Sequence, residues 1–190
     1  MIKICIVGGI GSGKSFAAKL FGYPVFNADK EVLKIYKRNR NCFNKLRKKL
    51  PKFITSFPIK KNQLKAAVLE KKNNLKKIES TVHPIVQKNL KKFIKFNKNK
   101  KILVFDIPLI LENKNVKKNY IIVFVDAKKR DIVKKLKKRK NYNKDILKKL
   151  AKAQLPLEIK RKKAHYIIKN NFKKKTLIKN VKILLKKILK

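Results

Sequence analysis

Short segments of continuous or alternating apolar residues recur along this chain, and both patterns are typical of buried β-strands. Longer segments between them carry apolar residues every three or four positions, which is the spacing of an amphipathic α-helix. Strands that alternate with helices favour a parallel sheet with helices on both faces, so we predict an α/β fold with a five-stranded parallel sheet. The predicted strands are Ile2–Val7, Val25–Ala28, Ile102–Ile107, Tyr120–Val125 and Tyr166–Ile168.

The connection between the second and third predicted strands, residues 31–97, is far longer than a parallel crossover requires, which is about a dozen residues. Its apolar positions have helical spacing, and Pro51, Pro58 and Pro84 are expected to divide it. We therefore predict that residues 31–97 form an inserted helical lobe, able to close over a substrate. The remaining segments, residues 1–30, 98–138 and 155–190, would form the core that contains the sheet.

Two further segments stand out near the C-terminus. Residues 139–154 form a second, shorter insertion, and its strongly charged beginning predicts a mobile lid. The last segment is expected to be a helix docked on the sheet, in preference to a basic amphipathic helix lying on a membrane surface. Its apolar face comprises Leu177, Val181, Leu184, Leu185 and Ile188.

Residues 8–15, GGIGSGKS, match the pattern GxxxxGK[ST] between a predicted strand and a predicted helix. Glycines let successive backbone N–H groups point at phosphate oxygens, and the following helix adds its positive N-terminal dipole. Lys14 would reach the β- and γ-phosphates of ATP, and the Ser15 hydroxyl would ligate the Mg²⁺ that accompanies ATP. The predicted ATP-binding residues of the loop are Gly9, Ile10, Gly11, Ser12, Gly13, Lys14 and Ser15.

All 5 glycines of the chain lie within its first 22 residues. A GTPase needs a DxxG switch downstream of its phosphate loop, and no glycine is left to form one. The distribution of glycines therefore disfavours a GTPase, and it leaves no glycines for a second glycine-rich nucleotide site.

Aspartates lie at the carboxyl ends of three predicted strands, the edge where α/β proteins bind ligands. Asp29 is a candidate base for the proton of an acceptor hydroxyl, and Asp106 is a candidate for holding a water of the Mg²⁺ shell. Asp126, together with Asp131, flanks the predicted start of a helix, so we interpret it as a capping residue.

Arginine is rare among the 56 basic residues, so each one is a candidate for a site that needs a planar, two-pronged donor. Arg139 opens the predicted lid and would clamp the transferring phosphate, while Arg161 precedes the last strand and would face the adenine or phosphates of ATP. His83 and Pro84 lie in the insertion, where a lone histidine is more often a packing residue than a ligand. His165 is interpreted as structural.

The formal net charge is +46. Lysines are spread along nearly the whole chain, and no stacking cluster of aromatic residues accompanies them. We therefore interpret the charge as a compositional drift toward lysine and asparagine rather than as a specific nucleic-acid site. Cys5 and Cys42 form no CxxC or metal pattern, which favours a reducing, cytoplasmic compartment.

Six separated segments, in order along nearly the whole chain, together resemble the dephospho-coenzyme A kinase family. The phosphate loop is shared by many families, whereas the fourth and fifth segments are far more specific. The segments are VGGIGSGKS (residues 7–15), VFNAD (25–29), VHPI (82–85), FDIPLILE (105–112), AQLPLEIKR (153–161) and AHYIIKN (164–170).

This resemblance implies transfer of the ATP γ-phosphate to the ribose 3′-hydroxyl of dephospho-coenzyme A. It implies a nucleoside-monophosphate-kinase-like, nucleotide-binding core in residues 1–30, 98–138 and 155–190. It also implies that residues 31–97 are a helical insertion that binds the acceptor and that residues 139–154 are a lid. It also implies that Asp29, Lys14 and Arg139 are catalytic. The residues that it implies for acceptor binding are Asp29, His83, Pro84, Asp106 and Pro108.

The chain departs from the family pattern at several positions. Asn27 replaces a typical aspartate, although Asp29, the expected base, is present. His165 also replaces a typical aspartate, and lysine replaces several arginines, including one near Lys61.

Two alternatives remain at this point. One is another P-loop small-molecule kinase, such as a nucleoside-monophosphate kinase, and the other is a basic nucleic-acid-binding ATPase. The sequence predicts no membrane span, and it leaves the oligomeric state open.

Overall fold

The structure, a computed structural model, describes residues 1–107, 119–138, 142–143, 145, 147–148, 151 and 154–190. The described chain contains strands and helices in mixed order. The strands are β1 (Ile2–Gly8), β2 (Val25–Asn27), β3 (Ile102–Asp106), β4 (Tyr120–Asp126) and β5 (Tyr166–Lys169). The helices are α1 (Lys14–Leu20), α2 (Ala28–Arg38), α3 (Arg40–Lys49), α4 (Lys61–Glu70), α5 (Lys72–Phe96), α6 (Lys129–Lys137), α7 (Leu157–Lys162) and α8 (Lys174–Leu189).

The five strands form one parallel sheet in the order β2-β3-β1-β4-β5, which confirms the predicted fold class. The central strand β1 pairs with β3 on one side and β4 on the other, and the phosphate loop follows it directly. Because all the strands run in the same direction, their carboxyl ends meet at one edge of the sheet. Asn27 and Asp106 are direct neighbours at this edge.

Alternate residues of the strands serve the two faces of the sheet. Ile4 and Ile6 belong to a buried core that α1 and α8 complete, while Val7 and Phe124 pack with Ala164 in a smaller cluster. Helix α7, just before Ala164 in the chain, contacts β1. The docked position predicted for the C-terminal helix is confirmed, since its apolar face is buried in the main core or packs against it. The residues of that face are Leu177, Val181, Leu184, Leu185 and Ile188.

The described chain divides into two compact units. The first consists of Met1–Asn27 and Asn97–Lys190 and contains the sheet. The second, Ala28–Phe96, contains α2 to α5 and has its own core. The buried hydrophobic residues that form this core are Ile35, Cys42, Phe43, Leu46, Leu50, Ile54, Ile59, Ala67, Val68, Ile78 and Val82.

The expectation that Pro84 divides the helices of the second unit is wrong, because Pro84 lies inside α5. A proline in a helix interior removes one backbone hydrogen bond and crowds the preceding turn. Here Val82 is buried just before it, and Ile85 and Val86 pack against the same core just after it. Packing on both sides of the proline offsets the local cost and keeps the helix continuous.

Of the helices in the described part of the chain, none combines the length and the apolarity needed to cross a membrane. The predicted lid, residues 139–154, falls largely outside the described residues.

Candidate functional site

The phosphate loop connects the end of β1 to the start of α1. Gly13 is the N-cap of α1 and has a φ of 92°, a left-handed conformation that favours glycine. Gly8 is equally constrained, since a Cβ there would lie 2.7 Å from the carbonyl oxygen of Val125 on β4. These two glycines allow the chain to turn sharply between the central strand and the helix.

Positive charge is concentrated at this turn. The Nζ of Lys14 donates hydrogen bonds to the carbonyl oxygens of Gly9 at 2.7 Å and Gly8 at 3.2 Å, so the ammonium group lies over the loop. Lys14 is also the first residue of α1, whose N-terminus carries a partial positive charge. A loop that begins a helix and carries an ammonium group is suited to bind phosphate.

Ser15, Asn27 and Asp106 form a hydrogen-bonded row at the carboxyl edge of the sheet. The Nδ2 of Asn27 donates to the Oγ of Ser15 at 3.4 Å and to the Oδ2 of Asp106. Asp106 is 3% exposed, so its carboxylate is held in place by its surroundings. The structure thus brings together Ser15 and Asp106, the two residues predicted to serve Mg²⁺. The part that Asn27 plays was missed from the sequence, where it appeared only as a departure from the family pattern.

The residues of this row fit a Mg²⁺ ion that arrives with a nucleotide. Mg²⁺ prefers oxygen ligands and is usually held by one or two carboxylates together with substrate phosphates and water. A hydroxyl and a carboxylate beside a phosphate loop meet that description. Within the described ranges, no three His, Cys, Asp or Glu side chains lie together as a metal cage.

Asp126 is not a helix cap, and this prediction is wrong. The N-cap of α6 is Lys128, so the helix begins too far along the chain for the Asp126 carboxylate to cap it. Instead Asp126 Oδ2 accepts a hydrogen bond from Arg161 Nη1 on α7, at 3.2 Å. Asp131 does lie in the first turn of α6, where a carboxylate interacts favourably with the helix dipole.

Asn170, just after β5, joins the sheet to the phosphate loop. Its side chain is buried, and its Nδ2 donates to the carbonyl oxygen of Ser12 at 2.8 Å. The hydroxyl of Ser12 is also buried and finds no hydrogen-bond partner among the residues that the structure describes. In the sequence, Asn170 was marked only as the last residue of the segment AHYIIKN.

The other predicted site residues lie in different parts of the chain. Asp29 is in the first turn of α2 in the second unit, and its side chain is exposed. His83 and Pro84 are in α5 of the same unit. Pro108 and Arg139 lie outside the described residues.

His165 has the structural place expected for it. The Nδ1 atom of its side chain accepts a hydrogen bond from the backbone N–H of Ile122 at 3.0 Å. The backbone N–H of His165 donates to the carbonyl oxygen of Ile122 at 2.9 Å. These bonds extend the pairing of β5 with β4 by one residue. Cys5 and Cys42 are free and buried, and burial raises the pKa of the Cys42 thiol to about 11.

A strand–phosphate loop–helix unit at the centre of a five-stranded parallel sheet, with a carboxylate at the neighbouring strand end, is the architecture of a P-loop nucleotide-binding protein. The family model described as dephospho-CoA kinase matches residues 2–175. The chain is 35% identical over 184 residues to a protein of Wolbachia sp. subsp. Brugia malayi named dephospho-CoA kinase, and the match covers 94% of each chain. This chain belongs to the dephospho-CoA kinase family, as its sequence motifs suggested.

Solved structures show the same fold. A protein from Thermus thermophilus superimposes with a TM-score of 0.78 at 25% identity, over 100% of this chain and 98% of the other. The dephospho-CoA kinase from Campylobacter jejuni superimposes with a TM-score of 0.68 at 23% identity, over 98% of this chain and 96% of the other.

Proposed function

We propose that this protein transfers the γ-phosphate of ATP to the ribose 3′-hydroxyl of dephospho-coenzyme A, giving coenzyme A and ADP in the last step of coenzyme A synthesis. The observation that carries this proposal is the phosphate loop, residues 8–15, placed between β1 and α1 in a chain that matches the family over nearly its whole length.

The loop and Lys14 would stabilise the phosphates of ATP. Phosphoryl transfer spreads negative charge over the oxygens of the transferred group, so catalysis depends mainly on positioning and on electrostatic stabilisation. The Lys14 ammonium contacts the carbonyl oxygens of Gly8 and Gly9, which keeps it at the mouth of the loop. From there it would reach the β- and γ-phosphates of bound ATP.

Ser15 and Asp106 would serve the Mg²⁺ that accompanies ATP, Ser15 directly and Asp106 through a water molecule. When bound, the ion neutralises charge on the phosphates. The Asn27 amide bonds to both side chains and would fix the direction in which their oxygens point. An amide at this position adds no negative charge beside the Asp106 carboxylate, unlike the aspartate typical of the family.

Asp29 would accept or orient the proton of the acceptor hydroxyl. It follows Asn27, the last residue of β2, by two positions in the chain. Together with His83, Pro84, Asp106 and Pro108, it would contribute to binding the acceptor.

Arg139, at the start of the predicted lid, would clamp the transferring phosphate, because its guanidinium forms two parallel bonds that a lysine cannot form. Arg161 would face the nucleotide. Its ion pair with Asp126 places its guanidinium beside the carboxyl end of β4, at the edge of the sheet where nucleotides bind. The assignment of Arg139 rests on its position in the chain and on its side-chain chemistry.

We place the enzyme in the cytoplasm. Its two cysteines are free and buried, as expected of a protein that folds in a reducing compartment.

A coupled assay of ADP release, with dephospho-coenzyme A, AMP and pantothenate as separate acceptors, tests the proposed function. We expect turnover with dephospho-coenzyme A to exceed turnover with the other two by at least about a hundredfold. The Lys14→Ala variant controls for ADP released by a contaminating ATPase. Preferred turnover of AMP would instead indicate a nucleoside-monophosphate kinase, and ADP release stimulated by RNA without any acceptor would indicate a nucleic-acid-dependent ATPase.

A further inference from the structure

The side chain of Asn170 is held at both ends. Its Nδ2 donates to the carbonyl oxygen of Ser12 at 2.8 Å, and its Oδ1 accepts from the backbone N–H of Phe172 at 2.9 Å. The backbone N–H of Asn170 donates to the carbonyl oxygen of Asp126 at 2.7 Å, which anchors the residue to the end of β4. With its acceptor end engaged by Phe172, the carboxamide can present only its donor end to Ser12.

The bond to Ser12 determines the orientation of one peptide group in the phosphate loop. The peptide between Ser12 and Gly13 is trans, so its C=O and N–H point in opposite directions. With the Ser12 carbonyl directed at Asn170, the Gly13 N–H is directed away from Asn170. Phosphate loops bind anions through N–H groups of this kind.

Such a restraint is needed because glycine-rich loops flip their peptides easily. Gly11 and Gly13, on either side of Ser12, have φ values of 81° and 92°, and glycine reaches either sign of φ at little cost. A flip of the Ser12–Gly13 peptide would reverse the directions of its carbonyl oxygen and its N–H. A phosphate would then meet a partial negative charge where it needs a donor.

We propose that Asn170 is a positioning residue for ATP, and that it prevents this peptide flip by holding the Ser12 carbonyl. The proposal rests on the proposed function only in naming ATP as the ligand of the loop. Asparagine suits the position because one planar group supplies the donor for Ser12 and the acceptor for Phe172. The bond from the Phe172 N–H to Asn170 Oδ1 stabilises the turn after β5, in which Phe172 has a φ of 62°, a value that is unusual for phenylalanine.

The most informative variant is Asn170→Asp. It keeps the size of the side chain and the acceptor for Phe172, but it places a carboxylate oxygen against the Ser12 carbonyl oxygen. Asn170→Ala removes both bonds without adding charge, and it decides the question if Asn170→Asp does not fold. We expect each variant to raise the Kd for ATP by at least about tenfold, and the Kd for dephospho-coenzyme A by less than about twofold.

Two control variants separate this role from general destabilisation. Asn180→Asp makes the same chemical change at a half-buried asparagine, whose Nδ2 donates to the carbonyl oxygen of Lys169 at 2.9 Å. Val181→Ala removes buried volume from the core beside β5 and is expected to lower the melting temperature without touching the loop. Neither control is expected to change the Kd for ATP by more than about twofold.

Isothermal titration calorimetry with ATP and Mg²⁺, combined with thermal unfolding of each full-length variant, gives the answer. A folded Asn170→Asp or Asn170→Ala protein with wild-type affinity for ATP would overturn the proposal. Loss of ATP affinity in Val181→Ala equal to the loss in Asn170→Ala would also overturn it, by reducing Asn170 to a contributor to stability. The affinity of the wild-type protein for ATP is measured first. A wild-type protein that binds no ATP would contradict the proposed function itself, whatever the variants do.

Discussion

Gly13→Ala and Gly22→Ala form a matched pair that tests the geometry of the phosphate loop. Both glycines have a left-handed φ, 92° at Gly13 and 75° at Gly22. Strain from a side chain in this conformation costs about 1–2 kcal/mol, and the lower entropy of the unfolded alanine chain offsets about 0.4–1 kcal/mol of it. The two variants differ in their surroundings. A Cβ at Gly22 meets nothing within 4 Å, whereas a Cβ at Gly13 collides with the Nδ2 of Asn170.

The collision at Gly13 should displace the amide that bonds the Ser12 carbonyl. The Ser12 carbonyl and the Asn170 amide would then be buried without a partner, which costs about 1–3 kcal/mol more. We therefore expect Gly22→Ala to lose about 1 kcal/mol and Gly13→Ala about 2–4 kcal/mol. For a chain of this size each kcal/mol lowers the melting temperature by about 2–4 °C.

Differential scanning calorimetry measures the melting temperatures, and titration with ATP measures the Kd. We expect the Kd for ATP to rise by at least about tenfold in Gly13→Ala and to stay within about twofold in Gly22→Ala. If the two variants have equal melting temperatures and equal affinity for ATP, the close packing of Asn170 on the loop has no energetic consequence and the reasoning is refuted.

Four further predictions concern catalysis, charge and pH. Lys14→Ala should lower kcat by at least about 10²-fold with an unchanged melting temperature, because it removes charge from the phosphate site; near-normal turnover of the folded variant would contradict the ATP-site assignment. Asp29→Asn should lower kcat by about 10²–10⁴-fold in the ADP-release assay and leave the Kd for ATP unchanged, and a loss under about threefold would remove Asp29 from the mechanism. The protein should bind unrelated DNA sequences only weakly, as measured by fluorescence anisotropy. Its affinity for DNA should fall steeply between about 50 and 200 mM salt, because binding through lysines depends on counterion release. Sequence-selective binding that persists at high salt would instead indicate a specific nucleic-acid site. The free energy of unfolding should fall as the pH rises from about 8.5, the usual pKa of a cysteine thiol, toward about 11, because burial raises the pKa of Cys42 to about 11 and raises the pKa of Cys5 as well, so that both thiols ionise more readily in the unfolded chain. Denaturant unfolding at pH 7 and 10 measures this fall, which should be smaller in Cys42→Ala than in the wild type; an equal fall in the two proteins would exclude the Cys42 thiol as a cause.

The sheet and the phosphate loop could be predicted because their signals are local. A buried parallel strand is a continuous apolar run, and the turn after β1 needs glycine at fixed positions. The apolar run Ile2–Val7 therefore predicted β1, and the pattern GxxxxGKS after it predicted the loop, whereas the central position of β1 in the sheet was not predicted. The apolar face of α8 predicted its docking for the same reason, since the spacing of Leu177, Val181 and Leu184 is visible in the sequence.

The contacts that shape the site were not predictable, because they join residues far apart in the chain. Asn27 meets Asp106 across 79 positions, and Asn170 meets Ser12 across 158. Both contacts depend on the strand order, which apolar patterns do not determine. The error at Asp126 had a different origin. A carboxylate near the start of a helix suggests a cap, but the helix begins at Lys129, and the carboxylate instead meets Arg161 on α7.

The most direct test of the central claim is to identify the product of the reaction. The full-length protein is incubated with ATP, Mg²⁺ and dephospho-coenzyme A, and the product is examined by mass spectrometry and by ³¹P NMR. We predict equal amounts of ADP and of a product one phosphate heavier than the acceptor, with the new phosphate on the 3′-oxygen of the ribose and no product with Lys14→Ala. ADP formed without a phosphorylated acceptor, or a phosphate at any other position, would contradict the assignment of this chain as a kinase that completes coenzyme A.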